Sequence, residues 1–127
     1  IRADCLHGDI KQATREKTMA DFRHGKLPVL IATDVASRGI DVDDVDGVIN
    51  YDVPEENEYY IHRIGRTGRA RKKGISFTLL GSFPEKAKLD EIAKFAGFRI
   101  VPMIFDEYGC LVPAPAEEKH PTSRRRF

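Results

Sequence analysis

Residues 60–73 read Tyr60-Ile61-His62-Arg63-Ile64-Gly65-Arg66-Thr67-Gly68-Arg69-Ala70-Arg71-Lys72-Lys73, or YIHRIGRTGRARKK. Arginine stands at 63, 66 and 69, each three residues after the last. Three residues turn a helix by about 300°, so these side chains stay roughly on one face. Gly65 and Gly68 sit between them, also three apart. Glycine has no side chain, which lets something bulky approach the backbone closely. Guanidinium is permanently charged and pairs with phosphate oxygens two at a time. A row of such forks beside open backbone suits a phosphate chain better than a protein core. The plain alternative is a solvated basic helix end, which a charge run alone would favour. HRIGRTGR is far more specific than a charge run.

The segments before and after this stretch alternate between strand and helix patterns. Ile1–Leu6 is short and partly apolar, a strand, and His7-Gly8-Asp9 makes a turn. Asp9 or a neighbour can cap the helix that follows. Over Lys11–Arg23, Thr18, Met19 and Phe22 share one face, while Arg15, Glu16 and Asp21 solvate the others; Gly25 is a stop signal. Val29-Leu30-Ile31-Ala32 is continuously apolar, the pattern of a buried central strand. Val48–Tyr51 is a second such strand, ended by Pro54. Glu55–Ile64 reads as a helix with Tyr60, Ile61 and Ile64 inward, and Ile75–Leu80 as a third strand. A helix starts near Pro84, where proline is tolerated, and stops at Gly97. Ile100–Phe105 is a last short strand, at an edge given Pro102. This order predicts an α/β domain, a mainly parallel sheet flanked by helices. Residues 1–105 form the domain, and 106–127, ending Ser123-Arg124-Arg125-Arg126-Phe127, read as a flexible basic tail or linker.

Length and composition bound the function. A chain of 127 residues holds one domain with one core, and its formal net charge is only +1. Any polyanion site must therefore be local, and the arginine row is the obvious place. Cys5 and Cys110 have neither metal-ligand nor redox spacing, which reads as a reducing, intracellular compartment. No apolar run is long enough to span a membrane. The chain begins at Ile1 inside a strand pattern, as an excised fragment of a longer protein would.

In open parallel sheets, ligands sit at the C-terminal ends of the strands. The chemistry-bearing residues fall there. Ala32-Thr33-Asp34-Val35-Ala36-Ser37-Arg38-Gly39-Ile40-Asp41 leaves one strand, and Asn50-Tyr51-Asp52 leaves the next. A threonine hydroxyl and backbone N–H groups at a helix start suit a phosphate, and Arg38 adds charge. Asp41 would accept from a sugar hydroxyl and repel a phosphate. Asp34 reads equally well as a helix cap, and Asp41 as a solvated loop residue.

ATDVASRGIDV, then NYDVP, then YIHRIGRTGR, in this order, resembles the second RecA-like domain of DEAD-box RNA helicases. GDIKQATRE resembles that family's glutamine-x-x-arginine motif, with Gln12 and Arg15. The resemblance runs from about Ala3 to Leu80. DEAH and RecQ helicases usually begin the last motif with Gln, and this chain has His62. The resemblance implies a RecA-like three-layer fold. It implies that Arg66 and Arg69 are arginine fingers reaching the terminal phosphate of ATP, and that Asp41 meets the ribose. It implies RNA-backbone contacts from Gly8, Arg15, Thr33 and Arg38, and interdomain coupling through His62, Arg63 and Gln12. Two departures accompany it: the family's preceding strand and helix are absent, and so is the first RecA-like domain. There is no GxxxxGK[ST] loop and no DEAD sequence, so ATP's β-phosphate and Mg²⁺ fall to that other domain. Two other readings stay open: an RNA-binding module without an ATP role, and a DNA helicase or translocase domain of the same fold.

Overall fold

Strand and helix do alternate along the chain. The computed structural model describes residues 1–37, 42–68 and 73–115. In order they form β1 (Ala3–Leu6), α1 (Gln12–Arg23), β2 (Val29–Ala32), α2 (Asp34–Ser37), β3 (Gly47–Asn50), α3 (Asn57–Ile64), β4 (Ile75–Thr78), α4 (Phe83–Ala96), β5 (Met103–Phe105) and β6 (Leu111–Pro113). β1 and β2 pair in parallel, Ala3 opposite Val29 through Leu6 opposite Ala32. β3 and β4 do the same, Gly47 opposite Ile75 through Asn50 opposite Thr78. Parallel neighbours need a long crossover, and α1 and α3 lie in the two that are required.

Side chains alternate across a strand, so each ladder has two faces. The face carrying Leu6 and Leu30 meets α1: Leu6, Met19, Ala36 and Val42 form a buried cluster, with Ile10, Phe22, Leu30 and Val45 packed on it. A second cluster, Tyr60, Leu89 and Ile92, joins α3 to α4 and takes in Val53, Ile64, Phe98 and Ile100. Tyr60 and Phe98 stack with ring centroids 5.8 Å apart. The opposite face is open: Ile31 is 58% exposed, Ile49 70% and Phe77 44%. This corrects the expectation of strands buried on both sides. A continuous apolar run equips both faces for burial, but among the described residues helices cover only one.

Two local expectations also change. No side chain caps α1: its N-cap is Lys11, and the Asp9 amide instead donates to His7 Nδ1 at 3.2 Å. α4 closes at Gly97 as expected, at φ +77°, and opens on a cap the sequence reading did not name, with Glu85 N donating to Ser82 Oγ at 3.3 Å. The supposed tail from 106 is structured as far as 115. β5 and β6 form an antiparallel hairpin, Met103 opposite Pro113 through Phe105 opposite Leu111. Asp106 Oδ1 accepts from Tyr108 N at 2.9 Å and from Cys110 N at 2.8 Å, and Gly109 takes φ +76°. Asp and Gly three residues apart between apolar runs are a turn signal. The proline content of the flanks hid it. Residues 116–127 lie outside the described ones.

Candidate functional site

Arg63 occupies the last turn of α3, and its guanidinium makes four hydrogen bonds. Nε and Nη2 donate to Asp34 Oδ1 and Oδ2, both at 2.7 Å. Nη1 donates to the Asp52 carbonyl and to Asp52 Oδ1, both at 2.9 Å. Asp34 opens α2 immediately beyond β2, and Asp52 lies just beyond β3. One side chain thus ties the exits of the two parallel ladders together. The Arg63 and Asp34 side chains are only 18% and 29% exposed, whereas Asp52 is 72% exposed. The Asp34 carboxylate raises the Arg63 pKa, burial opposes it, and Asp52 adds to the rise. The two-point geometry on a partly buried carboxylate makes the Asp34 contact the stronger one.

The arginine row does not continue as one helical face. α3 ends at Ile64, Gly65 is its C-cap, and the chain turns away. Arg66 Nη1 points instead to the Val42 carbonyl at 3.5 Å. The turn is stitched to the segment before β3: Val45 N donates to the Arg66 carbonyl at 3.1 Å, and Thr67 Oγ1 donates to the Val45 carbonyl at 2.6 Å. The two glycines therefore have local duties rather than a shared opening. A Cβ on Gly65 would lie 3.1 Å from the Ile61 carbonyl, and Gly68 adopts φ +73°, which disfavours any side chain. Gly74 is tighter still, because a Cβ there would collide with Gly68 N and with the Thr67 side chain.

Two of the predicted RNA-facing residues, Arg15 and Thr33, meet α2. Thr33 Oγ1 accepts from Ala36 N at 3.2 Å, an N-cap that leaves its own hydroxyl proton free to donate. Arg15 Nη2 donates to the Ala36 carbonyl at 2.8 Å. Gly8 lies in the turn after β1, and a Cβ there would meet nothing within 4 Å. Gln12 Nε2 donates to Glu16 Oε1 at 3.3 Å on the exposed side of α1, and His62 is exposed on α3. Arg38, Asp41 and Arg69 lie outside the described residues. Arg15, Thr33, Asp34 and Arg63 are brought together; Gln12 and His62 have no described contact with that group.

Sequence reading missed the partners of Arg63 and a buried polar chain beneath α3. Asn50 is 1% exposed. Its Nδ2 donates to Thr78 Oγ1 at 3.2 Å and to Ser76 Oγ at 3.4 Å, and Thr78 Oγ1 is 2.9 Å from the Tyr60 hydroxyl. The only available signal was a polar residue ending an apolar strand.

Parallel strands, crossover helices and arginines at the strand exits define a RecA-like α/β domain. Residues 1–71 match the helicase conserved C-terminal domain, and the chain belongs to that family, in the lineage of the DEAD-box RNA helicases. It is 54% identical over 98 residues to the ATP-dependent RNA helicase FAL1 of Saccharomyces cerevisiae, covering 77% of this chain and 24% of that protein. It thus spans about a quarter of the length of that relative. The C-terminal domain of the DEAD-box protein Dbp5 superimposes with a TM-score of 0.71 at 39% identity, over 76% of this chain and 57% of that one. S. cerevisiae Dbp5 bound to RNA and ADP BeF3 also gives 0.71, at 38% identity, over 78% and 27% of the two chains.

Proposed function

We propose that this chain is the C-terminal half of an ATP-dependent RNA helicase. It completes an ATP site with Arg66 and Arg69 and binds the RNA backbone through Gly8, Arg15, Thr33 and Arg38. The observation that carries the reading is the linkage at Arg63. The strip bearing the RNA-facing residues and the helix end bearing the arginines meet on one guanidinium, between the exits of the two parallel ladders. The likeness to a protein solved with RNA and ADP BeF3 supports the same ligands here. ATP and Mg²⁺ would be held mainly by the other RecA-like domain, with Asp41 on the ribose and Gln12, His62 and Arg63 serving the coupling between domains. Closure would bend one strand and melt the duplex locally, and hydrolysis would release it. Contacts to phosphate and sugar imply little sequence preference. Free, exposed Cys5 and Cys110 support an intracellular setting.

The deciding experiment measures phosphate release by the full-length protein with RNA and with DNA of matched sequence. RNA-stimulated hydrolysis is expected. Equal stimulation by DNA would favour the DNA translocase reading, and RNA binding without hydrolysis would favour a simple binding module. Residues 1–127 alone contain no phosphate loop, so they should release no phosphate above a buffer control, with or without RNA. RNA-stimulated release from them would overturn that expectation.

The RNA face makes its own prediction. Arg15→Ala and Arg38→Ala in the full-length protein should weaken RNA binding at all sequences alike. Each should also lower the salt slope of binding by about one. Binding titrations at several salt concentrations check this. For Arg15, the contact to the Ala36 carbonyl supplies a rival role in the fold. A large drop in melting temperature with an unchanged salt slope would assign the residue to that role.

A further inference from the structure

α2 is four residues long, too short to hold its place by its own hydrogen bonds. It is held instead by arginines from two different helices. From α1, Arg15 reaches the Ala36 carbonyl at 2.8 Å. A guanidinium there satisfies a carbonyl left over at a helix C-terminus and complements the partial negative charge. From α3, Arg63 takes both oxygens of Asp34, at the other end of α2, at 2.7 Å each. Ala36 is itself buried against Leu6, Met19 and Val42, so any shift of α2 is felt in that core.

We propose that Arg63 is a positioning residue whose grip on Asp34, with Arg15 opposite, clamps α2 and so fixes the loop leaving β2 relative to the arginine-bearing end of α3. The proposal rests on the function given above and sharpens it. Family resemblance puts Arg63 in communication between domains, and four of its five N–H donors are held by partners within this one. Any part it plays in that communication therefore runs through this internal contact. Thr33 lies at the start of α2 and Arg66 lies three residues beyond Arg63, so a change in the Arg63–Asp34 pair alters the spacing between the proposed RNA contacts and the proposed ATP contacts. Asp52 is a lesser partner, because an ion pair with so exposed a carboxylate is worth little.

Three single variants of the full-length protein test this: Arg63→Lys, Asp34→Glu and Asp52→Ala. Lysine keeps the charge but cannot make the two-point contact. Glutamate keeps the carboxylate and moves it by one methylene, which preserves an ion pair while displacing α2. Two readouts are taken: amide hydrogen exchange over residues 34–37, and the RNA concentration that half-saturates ATP hydrolysis. Arg63→Lys and Asp34→Glu should each speed exchange there and raise half-saturation by about tenfold, the scale of a coupling between sites. kcat at saturating RNA should fall by less than half-saturation rises. Asp52→Ala should change neither readout by more than about twofold, as an exposed pair allows. The double variant Arg63→Lys/Asp34→Glu should be no worse than the more severe single one, because both remove the same contact.

Unchanged exchange over 34–37 in folded Arg63→Lys would overturn the clamp. So would additive effects in the double variant, or faster exchange with wild-type half-saturation. If Arg63→Lys fails to fold, Asp34→Glu decides alone, and wild-type values for both its readouts would overturn the proposal. A wild-type protein without RNA-stimulated hydrolysis would defeat the functional reading, while hydrogen exchange would still decide whether the clamp exists.

Discussion

Arg69→Ala in the full-length helicase should slow RNA-stimulated ATP hydrolysis by about two orders of magnitude or more, the scale on which arginine fingers act. The terminal phosphate gains negative charge on its equatorial oxygens as the transferring bond loosens. A positioned guanidinium stabilises that charge and has less to stabilise in the ground state. ATP binding should therefore fall much less than the rate if, as proposed, the other domain holds most of the nucleotide. Lysine at 69 should rescue poorly, because a point charge does not reproduce the planar fork. Arg66 stands on the Thr67–Gly68 turn that leads toward 69, and that turn is tied to Val45 by backbone and hydroxyl hydrogen bonds. On the proposed reading, these hydrogen bonds position the turn from which a finger would be aimed, and catalysis depends on such positioning. Single-turnover hydrolysis beside a melting curve is the measurement. A folded Arg69→Ala protein that hydrolyses ATP at nearly the wild-type rate would show the finger assignment to be wrong.

Gly74→Ala should produce the second large effect, on stability and activity together. An alanine Cβ would overlap the Gly68 amide nitrogen and the Thr67 side chain. Backbone cannot rotate away as a flexible side chain does, so the turn or the start of β4 must move. Overpacking of this kind costs about 1–3 kcal/mol. The damage would also reach function. Thr67 Oγ1 holds the Val45 carbonyl, and displacing it frees the arginine-bearing turn from the segment before β3. Hydrolysis should drop by more than the unfolded fraction explains, with RNA binding less affected. Denaturant unfolding and single-turnover kinetics on the same preparation separate the two contributions. A Gly74→Ala protein with wild-type stability and rate would mean that the contact relaxes at no cost. Gly81→Ala is the matched control, because a Cβ there meets only the Glu85 carboxylate at 3.5 Å, an ordinary contact.

The secondary structure was largely legible because its signals are local. The α1 face of Thr18, Met19 and Phe22 follows helical periodicity, and those residues do pack inward. Pro84 and Gly97 mark the ends of α4 by chemistry that acts within a few residues. The apolar runs at 29–32 and 48–51 became strands of parallel ladders, shifted by one residue in the second case. The hairpin at 103–113 was missed because its prolines outweighed the Asp106 and Gly109 signal, and the α1 cap was misplaced because the helix begins at Gln12, which puts Lys11 rather than Asp9 at the N-cap.

From sequence alone, the residue order determined the α/β class, the parallel pairing and the family, since each rests on patterns repeated along the chain. It also singled out the arginines and glycines between 63 and 68. Their duties were decided only by tertiary structure. Arg63 and Arg66 look equivalent at a spacing of three, yet α3 ends between them and sends one to Asp34 and the other toward Val42. Asp34 lies 29 positions before Arg63 in the chain, and no local pattern joins them. Gly74 looks like an ordinary residue before a strand, and only the fold presses it against Thr67 and Gly68. Periodicity and capping act over a turn or two of chain, whereas ion pairing and steric exclusion act across space, so the folded chain alone sets which side chains meet.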